Sequence, residues 1–148
     1  MKTIHLAFGC AIGLFCSGAF ATDYYVSATS GDDSNDGLSG DSAWASLSHV
    51  SNAAILPGDN IYFKTNETFI GQLKPSYSGV AGQPITFGPY GSGNKPTING
   101  SGGPKGDHHA AIYINNQQYL EFDGLKVTNN RKKSIAGQAN TDAYGIDV

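Results

Sequence analysis

Short segments that alternate apolar and polar residues recur along most of the chain, and clusters of Gly, Asn, Asp, Ser and Pro separate them. Val, Ile, Tyr, Phe and Thr dominate these segments, and a period of two in such residues is typical of β-strands. The predicted strands are Asp23 to Ser27, Asn60 to Lys64, Phe69 to Leu73, Ile85 to Phe87, Pro96 to Asn99, Ala111 to Ile114, Tyr119 to Phe122, Leu125 to Thr128 and Tyr144 to Val148. The pattern therefore predicts an all-β fold.

One segment departs from this pattern and has a helical period. Its apolar positions are Trp44, Leu47, Val50 and Ala54. Asp41 or Ser42 is available as the N-cap, and Pro57 followed by Gly58 ends the segment. We therefore expect one short amphipathic helix before the main series of strands.

The spacing of equivalent isoleucines predicts how the strands are arranged. Ile61, Ile85, Ile112 and Ile146 follow one another at intervals of 24, 27 and 34 residues. A chain that returns to the same position at such intervals is typical of a solenoid, in which each strand pairs in parallel with the strands one coil above and below. We therefore expect stacked coils rather than tight hairpins.

The first 21 residues have the features of a secretory signal peptide. Lys2 provides a positive charge, an apolar stretch runs from Ile4 to Phe20, and Ala19-Phe20-Ala21 fits the small-x-small cleavage pattern. Cleavage after Ala21 would remove both cysteines of the chain, so disulfides are not expected in the mature protein. We predict a protein that is secreted, periplasmic or at the cell surface, with no membrane attachment after cleavage.

The net charge of the chain indicates which class of partner it can bind. The 148-residue chain has a net charge of -3 and a pI near 5.7. Binding to nucleic acid requires a basic face that meets the phosphates. We therefore expect no nucleic-acid partner.

Only one basic cluster stands out among the candidate binding residues. Arg131, Lys132 and Lys133 lie in a polar loop after a predicted strand, where they either attract an anionic glycan or remain solvated. Exposed tyrosines, for which Tyr77, Tyr90 and Tyr119 are candidates, could stack on sugar rings. These residues are the binding candidates that the sequence offers.

Other polar motifs have both a functional and an ordinary interpretation. Residues 32–37 partly fit a calcium-binding loop, but Ala43 stands at the twelfth position where Glu is needed. Asp107-His108-His109 either binds a metal or acts in acid–base chemistry, or is a loop entering a strand. Adjacent residues of a strand point to opposite faces, which argues against a shared ion. We therefore predict no metal site.

Asn66-Glu67-Thr68 and Asn99-Gly100-Ser101 match glycosylation sequons.

Four stretches of sequence resemble a known family. DYYVSATSGDDSNDGLSGDSAWASLSHV, followed by LPGDNIYFK, resembles the N-terminus of secreted right-handed parallel β-helix proteins of the pectate lyase-like superfamily. QPITFGPYGSGNKPTING resembles the same region, and AIYINNQQYLEFDGLKVTNN resembles a whole coil of those proteins. After the signal peptide over 1–21, the resemblance implies an N-terminal cap over 22–58 and about three coils of an incomplete right-handed parallel β-helix over 59–148. In that arrangement Trp44, Leu47 and Val50 would close the end of the solenoid.

The resemblance also implies a function. We expect the N-terminal part of an exported protein that acts on polysaccharides as a lyase or glycoside hydrolase, with its catalytic residues beyond Val148, so that this chain alone is inactive. The implied partner is an acidic, plant, algal or other extracellular glycan, and the full-length protein would be a monomer. No cofactor is expected in this chain, although the resemblance allows Ca²⁺ in the full-length protein. The alternative is a non-catalytic, adhesin-like β-helix that binds glycans at the cell surface.

Overall fold

Nine of the ten regular elements that the structure describes are short strands, which confirms the all-β prediction. A computed structural model describes residues 21–102, 108–129 and 144–148. The described elements are β1 (Asp23–Val26), α1 (Leu47–Asn52), β2 (Asn60–Lys64), β3 (Thr68–Ile70), β4 (Ile85–Tyr90), β5 (Thr97–Asn99), β6 (Ala110–Tyr113), β7 (Leu120–Phe122), β8 (Lys126–Thr128) and β9 (Tyr144–Asp147). Each predicted strand is present to within a few residues, because period-two alternation marks half-buried strands well.

The strands form three sheets in which every pairing is parallel. The first sheet has the order β1-β2-β4-β7, the second has the order β3-β5-β8, and the third contains β6 and β9. Leu73 adds an isolated parallel bridge to Ile112 of the third sheet. The chain therefore passes from the first sheet to the second and the third, and then returns to the first. The prediction of parallel pairing is confirmed for the described strands.

The register shows which predicted spacings hold. Phe69, Ile98 and Val127 lie opposite one another in the second sheet at intervals of 29 residues. Ile112 lies opposite Ile146 in the third sheet, as their spacing predicts.

The strand pairings predicted from the other two isoleucine spacings are wrong. Ile61 lies opposite Phe87 instead of Ile85, and Ile85 and Ile112 belong to different sheets. Periodicity along the sequence identifies inward-facing residues, but the lengths of the intervening turns decide which of them meet.

The inward faces of the sheets enclose one apolar core. Its fully buried members include Val26, Val50, Ile61, Phe63, Leu73, Ile85, Phe87, Ile98 and Ile112. Phe63 packs edge-on against Phe69 at 5.0 Å between ring centroids, and Phe87 stacks on Phe122 at 4.6 Å. Burial of each such side chain is worth ~1.5–3 kcal/mol, so the core fixes which face of each strand points outward.

The helix is shorter than predicted and begins later. It spans Leu47–Asn52, and its N-cap is Ser46, whose Oγ accepts a hydrogen bond from the His49 backbone N–H at 3.0 Å. The expectation of a cap at Asp41 or Ser42 is wrong. The reason is that the backbone of Trp44 extends beside β1, so the helix cannot start before it.

The segment around Trp44 covers the outer edge of β1. The Trp44 N–H donates to the Tyr25 carbonyl at 2.9 Å, and the Ser27 N–H donates to the Trp44 carbonyl at 2.8 Å. The Tyr25 N–H donates to the Gly37 carbonyl at 2.7 Å. An edge strand with free backbone groups can pair with other chains, and these bonds occupy that edge.

Trp44, Leu47 and Val50 are all buried in the core cluster. The proposed signal peptide over 1–21 falls almost wholly outside the described residues, so it stays a prediction. Among the described residues, no helix is long and apolar enough to cross a membrane.

Candidate functional site

The outward face of the first sheet carries a group of polar and aromatic side chains with a common orientation. Because Ile61, Phe63 and Phe87 point into the core, the residues that alternate with them point away from it. We call this surface the outer face. Its residues, strand by strand, are Asp23 and Tyr25 of β1, Asn60, Tyr62 and Lys64 of β2, Thr86, Gly88 and Tyr90 of β4, and Glu121 and Asp123 of β7 and its end.

Three tyrosines from successive strands meet on the outer face. The ring of Tyr25 lies 5.8 Å from the ring of Tyr62 and 5.1 Å from the ring of Tyr90, to which it is almost perpendicular. All three side chains are partly exposed. We call Tyr25, Tyr62 and Tyr90 the tyrosine cluster. It places aromatic surface on the side of the sheet that the core does not use.

Gly88 is buried next to this cluster. It lies opposite Tyr62 in the register of β2 and β4. A Cβ atom on Gly88 would be 3.6 Å from Cδ1 of Tyr62, so the tyrosine ring rests against the glycine backbone. The Tyr62 ring therefore covers the outer face at this position.

Two exposed carboxylates lie beyond Gly88 on the same face. Phe122 stacks on Phe87 inside the core, so its neighbours Glu121 and Asp123 point outward. Within the described part of the chain, neither carboxylate accepts a side-chain hydrogen bond or forms an ion pair. Sequence reasoning missed this pair, although two acidic residues two positions apart on a strand were a readable signal.

Asp23 and Lys64 lie at opposite ends of the tyrosine cluster. Asp23 accepts a hydrogen bond from Nδ2 of Asn60 at 2.8 Å. Nζ of Lys64 lies 3.8 Å from Oε1 of Glu67 and donates to Oγ of Ser30 at 3.3 Å. The lysine is therefore already paired, and the carboxylates give the outer face a negative balance.

The pKa of two hydroxyl groups in the cluster is raised. Burial, reinforced by the charges of Asp23 and the neighbouring Tyr25, raises the pKa of Tyr62. Burial also raises the pKa of Tyr90, with further contributions from Glu67 and Tyr25. The Tyr90 hydroxyl is buried and has no hydrogen-bond partner among the described residues. Of these two phenols, Tyr62 is therefore the one that can donate a hydrogen bond to a ligand.

The acidic loop that partly fits a calcium motif uses its carboxylates internally. Asp32 accepts hydrogen bonds from the backbone N–H and Oγ of Ser34 at 2.8 and 2.7 Å. Asp36 accepts from the Leu38 N–H and from Oγ of Ser42. These bonds lower the pKa of both groups. In the described residues, no group of three or more acidic, His or Cys side chains is arranged to hold a metal.

Asp33 connects the same loop to the helix. It accepts hydrogen bonds from the backbone N–H of Ala45 and Ser46 and from Oγ of Ser46, at 2.8, 2.9 and 2.6 Å. Burial raises its pKa, but the hydrogen bonds and nearby His49 outweigh this effect, so the pKa lies below its usual value. The ordinary interpretation of the loop, as a series of hydrogen-bonded turns, is the one that these contacts support.

The two histidines are separated in the structure, and Asp107 lies outside the described residues. His108 lines an open groove of about 370 Å³ beside α1. Nδ1 of His109 lies 3.5 Å from Oδ2 of Asp147. The two side chains therefore have different neighbours and do not meet around one ligand.

The predicted sugar-stacking tyrosines have three different environments. Tyr77 is part of the fold, because its hydroxyl donates to the Val50 carbonyl at 2.8 Å and its ring stacks over Phe87 at 6.5 Å. A stacking role for Tyr77 is therefore wrong. Tyr119 is 51% exposed and lies apart from the cluster, whereas Tyr90 belongs to it.

The side chain of the first sequon asparagine already has a structural role. Nδ2 of Asn66 donates to the Ser92 carbonyl at 3.0 Å, and its Oδ1 accepts from the Asn94 N–H at 2.9 Å. A glycan on that nitrogen would disrupt this turn. In the second sequon, Oδ1 of Asn99 accepts from the Ser101 N–H at 3.1 Å, which is ordinary turn chemistry.

The predicted basic cluster of Arg131, Lys132 and Lys133 lies outside the described residues, so its role stays a prediction. The described part of the chain contains a different open groove of about 670 Å³, which Lys95 and Lys126 line together with Asn66 and Asn94.

Comparison with known proteins shows that the chain is similar to enzymes that act on glycans. The chain is 32% identical over 133 residues to the lacto-N-biosidase of Bifidobacterium longum subsp. longum, an alignment that covers 73% of this chain and 8% of that protein. No protein-family model matches the sequence. The chain therefore spans a small part of this curated relative.

Two crystal structures of the GH136 lacto-N-biosidase from Eubacterium ramulus are similar in fold. The selenomethionine derivative superposes with a TM-score of 0.68 and the native protein with 0.67, each at 25% identity. Each comparison covers 84% of this chain and 23% of the solved one.

These structures correct the resemblance stated from the sequence. Assignment to the pectate lyase-like superfamily is wrong, because the matching solved structures are GH136 lacto-N-biosidases. The quoted motifs consist of short strands joined by Gly, Asn and Pro turns. Such motifs describe parallel strands in sequence order, and they do not distinguish one family of such proteins from another.

Proposed function

We propose that this chain is the N-terminal part of an exported glycoside hydrolase whose three sheets are the first coils of a right-handed parallel β-helix. The proposed substrate is an extracellular glycan, and hydrolysis is preferred to the lyase reaction. The similarity to lacto-N-biosidases over 84% of the chain, at a TM-score of 0.68, is the observation that carries this proposal.

The order of the strands supports the coiled arrangement. The chain visits the first, second and third sheets as β4, β5 and β6, and again as β7, β8 and β9. Each strand lies beside its counterpart of the preceding circuit in parallel register. Two such circuits, with β2, β3 and Leu73 before them, correspond to about three coils.

Features of the described residues support a binding role for this part and a catalytic role for another part. Glycoside hydrolysis by the usual route needs a pair of carboxyl groups, one of them with a raised pKa. Glu67 is buried, but its oxygens are occupied by donors from residues 27–29. Glu121 and Asp123 are exposed on the outer face. We therefore place the catalytic carboxylates outside the described residues.

The proposal is tested by assaying the natural secreted product for release of p-nitrophenol from p-nitrophenyl lacto-N-bioside. We expect hydrolysis by the full-length protein and none by residues 22–148 alone. Heat-inactivated protein is the control for spontaneous release. Products with unsaturated uronate ends from pectin or alginate would instead indicate a lyase and contradict the proposed hydrolysis.

A non-catalytic glycan-binding protein is the second candidate, and the exposed tyrosine cluster is the observation that favours it. The same assay separates the two candidates, provided that glycan binding is measured in parallel. Saturable binding by the full-length protein without hydrolysis of a panel of glycosides would favour the second candidate.

A further inference from the structure

Aromatic side chains on the outer face have no role in the core. Tyr25, Tyr62 and Tyr90 come from three successive parallel strands, and their ring contacts of 5.1 and 5.8 Å join them into one surface. A carbohydrate presents C–H groups on the faces of its ring and hydroxyl groups around the edge. It therefore suits a surface of tyrosine rings bordered by hydrogen-bonding groups, since tyrosine combines an apolar ring with a polar tip.

We propose that the tyrosine cluster forms a binding surface for a short neutral oligosaccharide. This inference rests on the proposed function, and it identifies the part of the described chain that contacts the glycan and the charge class of that glycan. Tyr62 is the central platform, because its ring lies between that of Tyr25 on one neighbouring strand and Gly88 on the other, whose backbone it covers.

The three tyrosines have different roles within this surface. Tyr90 is held from the side by the cap loop, since a Cβ atom on Gly40 would be 3.3 Å from its Cε2 atom. It also supports Tyr25 through the edge contact. Tyr25 and Tyr62 present the stacking surface, and Tyr90 holds Tyr25 in place.

Hydrogen-bonding groups border the rings on two sides. Asp23 and Asn60 lie at one end of the strands, and their side chains are joined at 2.8 Å. Glu121 and Asp123 lie across Gly88 on the next strand. Adjacent strands are ~4.8 Å apart, so the face from β1 to β7 is ~14 Å wide, which suits a short oligosaccharide lying across the strands.

The charge of the face selects against anionic glycans. Three carboxylates, from Asp23, Glu121 and Asp123, share the outer face with the rings. The one lysine that the described outer face carries, Lys64, lies 3.8 Å from Glu67 and is partly neutralised. A uronate or sulfated chain would be repelled there, whereas the hydroxyl groups of a neutral sugar can donate to the carboxylates. An acidic glycan, as the sequence suggests, would have to bind elsewhere.

The proposal is tested by titrating the full-length protein with lacto-N-biose as the neutral probe and trigalacturonate as the anionic probe, using isothermal titration calorimetry. We expect saturable binding of lacto-N-biose and at least tenfold weaker binding by Tyr62→Ala and Tyr25→Ala. Tyr62→Phe should retain most of the affinity because it keeps the ring. Tyr113→Ala, which removes a tyrosine of the third sheet, is the matched control and should bind like the parent.

A second measurement keeps the test valid if an alanine variant misfolds. Nitration of the parent protein by tetranitromethane, mapped by mass spectrometry, should be reduced at Tyr25 and Tyr62 by lacto-N-biose and unchanged at Tyr113. Equal affinity of a folded Tyr62→Ala variant, absence of protection, or tighter binding of trigalacturonate would overturn the proposal. Hydrolysis of lacto-N-biosides with unaltered binding by Tyr62→Ala would refute this surface alone, whereas tyrosine-dependent binding without hydrolysis would refute the hydrolase alone.

Discussion

Glu67 shows how a buried carboxylate can serve the fold without serving a reaction. Its oxygens accept hydrogen bonds from Oγ of Ser27 at 3.0 and 3.2 Å, from the Ala28 N–H at 2.6 Å and from Oγ1 of Thr29. These donors belong to the loop that follows β1, while Glu67 itself lies between β2 and β3. The carboxylate therefore fastens the N-terminal loop to the sheets.

Removing this carboxylate should destabilise the chain. We expect Glu67→Ala to lower the free energy of unfolding by about 2–3 kcal/mol, because the buried Ser27 hydroxyl and two part-buried donors lose a charged acceptor at once. Glu67→Gln should cost less, since its oxygen still accepts. Urea unfolding followed by circular dichroism measures both values.

Lys64→Ala is the matched control for this prediction. Its ammonium is 3.8 Å from Glu67 and 41% exposed, and such an ion pair contributes about 0–1 kcal/mol. A larger loss for Lys64→Ala than for Glu67→Ala would contradict the role given to the backbone and hydroxyl donors.

Tyr77 makes stability depend on alkaline pH. Burial raises its pKa, and its hydroxyl donates to the Val50 carbonyl at 2.8 Å. The folded chain therefore keeps this proton at pH values where the unfolded chain loses it. Its contribution to stability is complete below the unfolded pKa of ~10 and declines as the pH rises above that value.

We expect Tyr77→Phe to flatten the loss of stability above pH 10 and to cost about 1 kcal/mol at neutral pH. Melting temperatures at pH 7, 9.5 and 11 measure both effects. Tyr113→Phe is the control and should follow the parent profile. An identical alkaline slope for Tyr77→Phe and the parent would show that other groups cause the loss.

Sequence reasoning at this scale identified residue types but not their contacts. Tyr77 and Tyr90 are both tyrosines in polar surroundings, yet one lies over Phe87 and the other on the outer face. The sequence around Asn66 matches a sequon, whereas its side chain is used by a turn. Such differences depend on which residues the fold brings together from distant positions, which a single sequence does not reveal.

At the scale of elements, the loop before the helix is built around the backbone of Trp44. A Cβ atom on Gly31 would lie 2.1 Å from the Trp44 carbonyl oxygen and 2.5 Å from the Ser27 carbonyl oxygen. The indole ring stacks on Tyr24 at 4.7 Å, and its Nε1–H donates to the Asn35 carbonyl. The loop can therefore close only if residue 31 has no side chain.

We expect Gly31→Ala to lower the free energy of unfolding by more than about 2 kcal/mol, because backbone atoms must move to admit the methyl group. Trp44 is the single tryptophan of the sequence, so a red shift of its fluorescence would report loosening of this segment. Gly145→Ala is the control, since its Cβ would make an ordinary contact of 3.6 Å with Val127. Unchanged fluorescence and stability in Gly31→Ala would contradict the closure described.

The existence of the helix could be predicted from its apolar stripe, but its start could not. Trp44 fits the stripe, and Asp41 and Ser42 are good caps in isolation. Pairing with β1 takes Trp44 out of the helix and leaves Ser46 as the cap. A tertiary contact thus overrode a local preference, which is the usual reason that helix boundaries are misplaced.

At the scale of the whole molecule, the first and the last strands of the sheets differ in whether their outer edges are covered. The segment around Trp44 covers β1, whereas β7, β8 and β9 each pair with one strand in the described part of the chain. Ile146 of β9 is 48% exposed. An uncovered parallel edge with apolar side chains can recruit another chain.

We expect the isolated chain to be marginally stable and to associate as its concentration rises, and Ile146→Lys to reduce that association because a charge disfavours edge pairing. Sedimentation velocity at several concentrations measures the effect. Leu56→Lys is the control, because Leu56 is 62% exposed but lies in no strand. A chain that is monomeric at all concentrations and melts reversibly at high temperature would contradict the prediction.

Strand positions and parallel pairing were predictable because alternation and spacing are local properties that survive folding. The similarity to particular enzymes was not predictable in this way. The regular spacing of Phe69, Ile98 and Val127 indicates that the chain repeats, but these apolar side chains do not indicate which substrate the protein binds. Glu121 and Asp123 could be assigned to the outer face only because the stacking of Phe122 on Phe87 shows that their side chains point outward.

The way the first strand is covered also bears on the order in which the molecule can form. The backbone groups of Tyr25 form hydrogen bonds with the backbone groups of Gly37 and Trp44. Both of these residues emerge from the ribosome before β2 does. Closing this short loop costs less entropy than the longer closures that join later strands. A chain that is synthesised from its N-terminus can thus form this covered strand first and pair each later strand with one already in place, which would keep unpaired strands from accumulating during synthesis.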